Sequence, residues 1–202
     1  AHALASASPA TSLKRVCTWV ARTAFDLPAV VAELADTMRR RERGDDYEMR
    51  LDRLRVITGE KGRGRQLIAG AEAANGPWYL FWHADTHPQP GWVALVERFI
   101  HKKDNDFHTA YFRLVLDDPA TDARRIERLA NWRAKTFGLP YGDQGLLISE
   151  TYYDHLGGFS PIPIMEDVDL VRRIGKPRLH ELPTAAVTSA KRYRRDGWWF
   201  RP

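Results

Sequence analysis

The sequence predicts an α/β domain with a mostly parallel central sheet and helices on both faces. Three observations predict it. Short β-rich segments alternate with helix-length amphipathic ones. The run Trp78-Tyr79-Leu80-Phe81-Trp82 is continuously apolar, as in a strand covered on both sides. No internal repeat competes with this layout.

The elements follow in order. Residues 1–12 carry no periodicity and are expected as a flexible lead-in to a single domain over 13–202. Residues 15–21 (RVCTWVA) read as a first strand. Asp26 is an N-cap with Pro28 in the first turn, and Leu27, Val30, Val31, Leu34 and Met38 recur at helical spacing before the polar stretch 39–46. Residues 53–58 form a short strand, followed by a glycine-punctuated loop over 59–64. A helix over 65–74 buries Leu67, Ile68 and Ala71 and stops at Asn75-Gly76-Pro77. The apolar strand 78–82 comes next, and Pro90-Gly91 then opens a helix over 92–101. Residues 107–116 are a strand, and Asp118-Pro119 starts a helix running toward Phe137-Gly138. Residues 145–148 are a strand, Ser149 caps the next helix and Gly157-Gly158 stop it. Residues 166–174 form a short helix ended by Gly175, and 178–182 a last strand.

With 44% hydrophobic and 28% charged residues, the 202-residue chain is not wholly disordered. Its longest apolar runs are far shorter than the roughly 20 residues that span a bilayer. Residues 1–10 lack a basic start and a Leu-rich core, which predicts no secretory leader. The single Cys17 excludes an internal disulfide framework and a Cys-based zinc site, and the expected location is the cytoplasm. The net charge is +5, with basic clusters at 39–43, 61–65, 124–128 and 191–195. Acids interleave most of these clusters and no RNA-binding module appears, so nucleic acid is not the expected partner. The first and third clusters read as solvated helix faces.

Three segments point to chemistry. The apolar strand ends in His83-Ala84-Asp85, at the sheet edge where α/β proteins bind ligands. Spaced by one residue, the imidazole and carboxylate face one way and suit a divalent cation; alternatively Asp85 caps the following turn and His83 is packed. Glu166, Asp167 and Asp169 open a helix behind the rigid segment 161–163, as a general base held at a cleft or as acids favoured by the helix dipole. Residues 59–65 (GEKGRGR) lead into a helix and suit a phosphate or a plain turn, but match neither the P-loop nor the dinucleotide pattern. More weakly, Tyr141-Gly142-Asp143-Gln144-Gly145 is a polar turn suited to positioning a substrate. The tail 191–200 mixes cations with aromatics, as a phosphate clamp, a membrane-facing segment or a nucleic-acid stacking surface would. No Gly-x-Ser-x-Gly elbow is present, so nucleophilic catalysis has little support.

Together, GRGRQLIAGAEAANGPWYLFWHADTHPQPGW (62–92), YGDQGLLIS (141–149), GGFSPIPIMEDVDLVRRIG (157–175) and TSAKRYRRDGW (188–198) resemble the family 2 glycosyltransferases of GT-A fold. The nearest likeness is to the radical-SAM/selenodomain-associated branch. With the stretches between them, these blocks span about two-thirds of the chain. The resemblance implies inverting transfer of a sugar from a nucleotide-sugar donor to an acceptor hydroxyl, a lipid-linked acceptor being one candidate. It places Mg²⁺ or Mn²⁺ on Asp85, with His83 standing where many relatives carry Asp. It makes Asp167 the base and Glu166 its neighbour in the acceptor pocket. Arg63, Arg65 and Gln66 fall near the donor, while Asp143, Gln144, Arg192 and Arg194 are looser substrate contacts. The front of the chain departs from the family. Residues 19–23 lack the Asn and Glu of the usual first-strand motif, and 47–52 stand for the second strand with Asp52 as its acid. The N-terminal part is thus shortened, and the alternative it raises is a non-catalytic nucleotide-sugar-binding or scaffold module of the same fold.

Overall fold

The computed structural model describes residues 2–4, 16–19, 54–56, 62–74, 76–83 and 85–198. Asp52 and the helix expected from Asp26 lie outside them. The strands are β1 (His2–Leu4), β2 (Val16–Trp19), β3 (Leu54–Val56), β4 (Trp78–His83), β5 (Thr86–Pro88), β6 (Thr109–Leu116), β7 (Leu146–Ser149) and β8 (Leu179–Thr188). The helices are α1 (Arg63–Ala73), α2 (Trp92–Ile100), α3 (Thr121–Phe137), α4 (Glu150–His155), α5 (Glu166–Ile174) and α6 (Lys191–Asp196). Among the described residues one eight-stranded sheet runs β3-β1-β2-β4-β7-β6-β8-β5.

The sheet is mixed, which corrects the mostly parallel expectation. β2–β4 and β6–β8 pair parallel, whereas β1–β2, β1–β3, β4–β7, β5–β8 and β6–β7 pair antiparallel. The reversal in the centre is that of β7, and α3 accounts for it. That helix lies against the C-terminal half of β6, where Glu127 accepts from the Leu116 amide and Asn131 bonds both backbone groups of Leu114. The chain therefore enters β7 at the edge from which it left β6, and an antiparallel strand follows. At the edge, β5 occupies residues expected as a turn, and its Thr86 hydroxyl lies 2.7 Å from that of Thr188 on β8.

The apolar strand alternates as its sequence requires. Tyr79 and Phe81 face a core with α1, α4 and α5, while Trp78, Leu80 and Trp82 face one with α2. Ser149 caps α4 by accepting from the Tyr152 amide at 3.0 Å. β8 runs past its expected end at Leu182, because the β6 pairing skips from Tyr111↔Glu181 to Arg113↔Ala185. Pro183, which has no N–H to donate, falls inside that skip.

Candidate functional site

β4, β6 and β8 all end at one edge of the sheet, and β7, being reversed, begins there. α1 precedes β4 and runs back along it, so its first residue, Arg63, also reaches this rim. The rim therefore carries His83 at the end of β4, Asp85 just after it, the turn 142–145 before β7, and Arg192 after β8.

Arg63 is the hub. Its Nη2 donates to His83 Nε2 at 3.1 Å, and its Nε lies 2.8 Å from Glu166 Oε1. A guanidinium only donates, so His83 Nε2 accepts and the ring proton sits on Nδ1. Burial, then the charges of Arg63 and Arg192, push His83 down to about 3, which keeps the ring neutral at physiological pH. Glu166 is 0% exposed and pairs with Arg63, and among the described residues its Oε2 is buried with no hydrogen-bond partner. Burial raises the Glu166 pKa, and Arg63 opposes the rise.

The acids 166–169 separate into distinct tasks. Glu166 holds Arg63. Asp167 accepts from the Gly142 amide through Oδ2 at 2.7 Å and from Val168 through Oδ1 at 2.8 Å. Asp169 bonds Ser160 and Arg173, each at 2.7 Å; the Ser160 hydroxyl and then Arg173 lower its pKa. Arg173 in turn donates to the carbonyls of Leu156 and Gly158, which fixes the loop before α5. Met165, the residue capping α5, is held at φ 66°, a left-handed conformation that costs a non-glycine residue about 1 kcal/mol or more. Asp167 thus enters the cleft on a backbone tied down from both sides.

The cleft is lined by Arg63, His83, Tyr141, Gly142, Glu166 and Asp167 over an apolar floor of Leu67, Phe81, Phe159 and Val171. Gly142 sits so close that a Cβ there would lie 2.6 Å from His83 Nε2 and 3.1 Å from Asp167 Oδ2. Beside it, Asp143 is pushed up to about 6 by burial, opposed by Arg133 and reinforced by Asp167 and Asp85. Among the described residues its Oδ1 is buried without a hydrogen-bond partner. Asp85 Oδ2 lies 3.2 Å from Arg192 Nη2.

Other expected residues lie elsewhere. Gln144 is 0% exposed and its amide is engaged with the Phe112 carbonyl, Asn131 and the Tyr141 amide, so it braces the turn from below. Arg194 pairs with Asp118 at the approach to α3. Arg65 is exposed on α1 and, like Gln66, does not line the cleft. The sequence reading missed the tasks of Gly142 and Gly64. The two glycines flanking Asp143-Gln144 were a signal for the first. A Cβ on Gly64 would strike the carbonyl oxygens of Ser160 and Ile162, so Arg63 and Gly64 open a packed helix, while residues 59–61 of the expected loop lie outside the described residues.

A divalent ion here would meet the Asp85 carboxylate. His83 Nε2 already accepts from Arg63, and among the described residues no three His, Cys, Asp or Glu side chains converge on one point. The orphaned Oδ1 of Asp143 and the shared field of Asp85, Asp143 and Asp167 favour a cation nearby. The residues fit an ion held by one carboxylate that draws its other ligands from phosphate and water, a habit of Mg²⁺.

An α/β sheet with carboxylates and guanidiniums gathered where its strands end defines a protein built to bind a charged ligand at that rim. The sequence model described as Glycosyl transferase family 2 matches residues 34–157, more than half of the chain, and the chain belongs to that family. Membership carries the GT-A fold and glycosyl transfer in general. A search of curated proteins finds no match. Glu166, Asp167 and Arg192 lie beyond the matched stretch, so their roles rest on geometry.

Proposed function

We propose that this protein transfers a sugar from a nucleotide-sugar donor to an acceptor hydroxyl with inversion at the anomeric carbon. Asp167 takes the acceptor proton as the acceptor oxygen bonds to that carbon. The bond from carbon to diphosphate breaks on the opposite side, and its electron pair leaves with the nucleoside diphosphate. Mg²⁺ or Mn²⁺ on Asp85 would neutralise the charge gathering on that leaving group. Arg192, released from Asp85, would face the same phosphates, and Arg63 would keep the neutral His83 in place beside them. Asp143 supports the acceptor side of the cleft.

The observation that carries this reading is the Asp167 carboxylate, fixed at 2.7 Å by the Gly142 amide in a cleft at the rim where Asp85 and Arg192 stand. The test is thermal shift and nucleoside-diphosphate release across a panel of UDP- and GDP-sugars, with and without Mn²⁺ or Mg²⁺. A metal-dependent shift and slow donor hydrolysis are expected. Silence from every donor at every metal level would refute the reading.

A further inference from the structure

We infer that the outer face of α3 is a docking surface for an anionic phospholipid bilayer. Leu129, Trp132 and Phe137 are 60%, 53% and 55% exposed, although large apolar side chains are the ones a domain ordinarily buries. The Trp132 and Phe137 rings meet edge to face at 5.2 Å, so they form one apolar ridge. Around the ridge stand exposed cations: Arg124, Arg125, Arg128 and Lys135 on the helix, with Lys176 tied to the Thr136 carbonyl at 2.8 Å.

Helical spacing puts Arg125, Arg128, Leu129, Trp132 and Lys135 on one side. Two of these cations already have acid partners on the helix: Glu127, buried against the Leu116 amide, pairs with Arg124, and Asp122 pairs with Arg125 at 3.1 Å, so Arg128 and Lys135 carry the docking charge. Solvated charge alone explains the arginines but not a half-exposed tryptophan among them. Apolar side chains framed by lysine and arginine are what a helix lying in the headgroup layer of an anionic membrane presents, aromatic ring at the interface and cations on the phosphates.

The same helix reaches the cleft. Arg133, next to Trp132 in the chain, lies over the Tyr141 ring at 3.4 Å from its centroid, and Tyr141 lines the cleft. A bilayer docked on α3 would thus adjoin the site and serve an acceptor carried in the membrane, a step that rests on the transfer reading.

The test is co-sedimentation of the full chain with phosphatidylcholine vesicles, with and without phosphatidylglycerol, in the absence of any donor. Failure there leaves the transfer reading standing. Wild type is expected to pellet with anionic vesicles only, and less as salt rises. Leu129→Ser/Trp132→Ser should weaken binding by roughly tenfold or more, since two apolar side chains lose their burial. Arg128→Glu/Lys135→Glu should weaken it by at least about 25-fold, at roughly fivefold per cation. All four positions are exposed, so melting temperatures should match wild type. Lys102→Glu/Lys103→Glu makes the same charge change off α3, beside His180 near the start of β8, and should keep binding. The inference is overturned if wild type ignores anionic vesicles, if the α3 variants bind as wild type does, or if the Lys102/Lys103 variant loses as much. It is equally overturned if the α3 variants abolish DNA retention or self-association while wild type binds no vesicles.

Discussion

Gly142→Ala adds a single methyl group between the two side chains on which the proposed chemistry depends. Gly142 is not among the glycines with positive φ, so alanine suits its backbone and the effect is steric. The new Cβ would stand 2.6 Å from His83 Nε2 and 3.1 Å from Asp167 Oδ2, where ordinary contact begins at 3.4 Å. His83 must then retreat by roughly 0.8 Å, against its bond to Arg63, or Asp167 must turn from the Gly142 amide. Overpacking of this kind costs about 2 kcal/mol, which lowers Tm by roughly 4–8 °C at this chain length. A domain with about 5–15 kcal/mol to lose stays folded at 25 °C after that. Crowding the base by about 0.3 Å and its neighbour His83 by about 0.8 Å, in contrast, costs up to about 100-fold in turnover, because the cleft geometry moves by close to an ångström. The assay is nucleoside-diphosphate release, with kcat and KM measured separately and Tm recorded on the same preparation. We expect kcat to fall by about two orders of magnitude while donor KM moves little. Wild-type kcat together with a lowered Tm would show that the His83–Gly142–Asp167 geometry is not where the reaction occurs.

Four further outcomes follow from the site. Asp167→Asn should abolish turnover yet keep metal-dependent donor binding by calorimetry, because Asn can still accept from the Gly142 amide; joint loss would make Asp167 structural. Mn²⁺ alone should leave Tm unchanged, UDP or GDP with Mn²⁺ should raise it, and Asp85→Ala should erase that rise, since one carboxylate cannot hold the ion without the diphosphate. Asp143 keeps its proton to about pH 6 when folded but only to about pH 4 when unfolded. Stability therefore falls as pH rises between those values, by up to about 3 kcal/mol, and is flat above. In EDTA, Asp143→Asn should be more stable than wild type at pH 7.5 and no more stable at pH 4; an equal gain at both would sink the assignment. Glu166→Ala removes the counter-charge of Arg63 and should cost about 3 kcal/mol by chemical denaturation, the low end for a broken buried pair because Arg63 is 34% exposed.

Local signals in the sequence located most elements and few contacts. The five apolar residues from Trp78 located β4, and the Glu-to-Gly span over 166–175 located α5 to the residue, because both signals are local. The family resemblance was equally legible, and the match over 34–157 bears it out. What stayed hidden is what distant residues do to one another. Nothing near Arg63 announces that Glu166 will neutralise it, and nothing near Gln144 announces that its amide will be consumed by Phe112, Asn131 and Tyr141. Polar residues in a turn look alike in a sequence whether they face substrate or brace the turn from beneath.

The direction of β7 is the most consequential of the hidden features. Its residues, Leu146-Leu147-Ile148-Ser149, are buried throughout, and a strand buried on both faces has the same apolar pattern whichever way it runs. Had α3 carried the chain to the far edge, β7 would have been parallel to β4, and the turn 142–145 would lie at the end opposite His83. Asp167 would then lack the Gly142 amide, His83 its close neighbour, and Asp143 the carboxylates that add to the rise its burial causes. The contacts holding α3 against β6, Glu127 on Leu116 and Asn131 on Leu114, therefore shape the site without touching it.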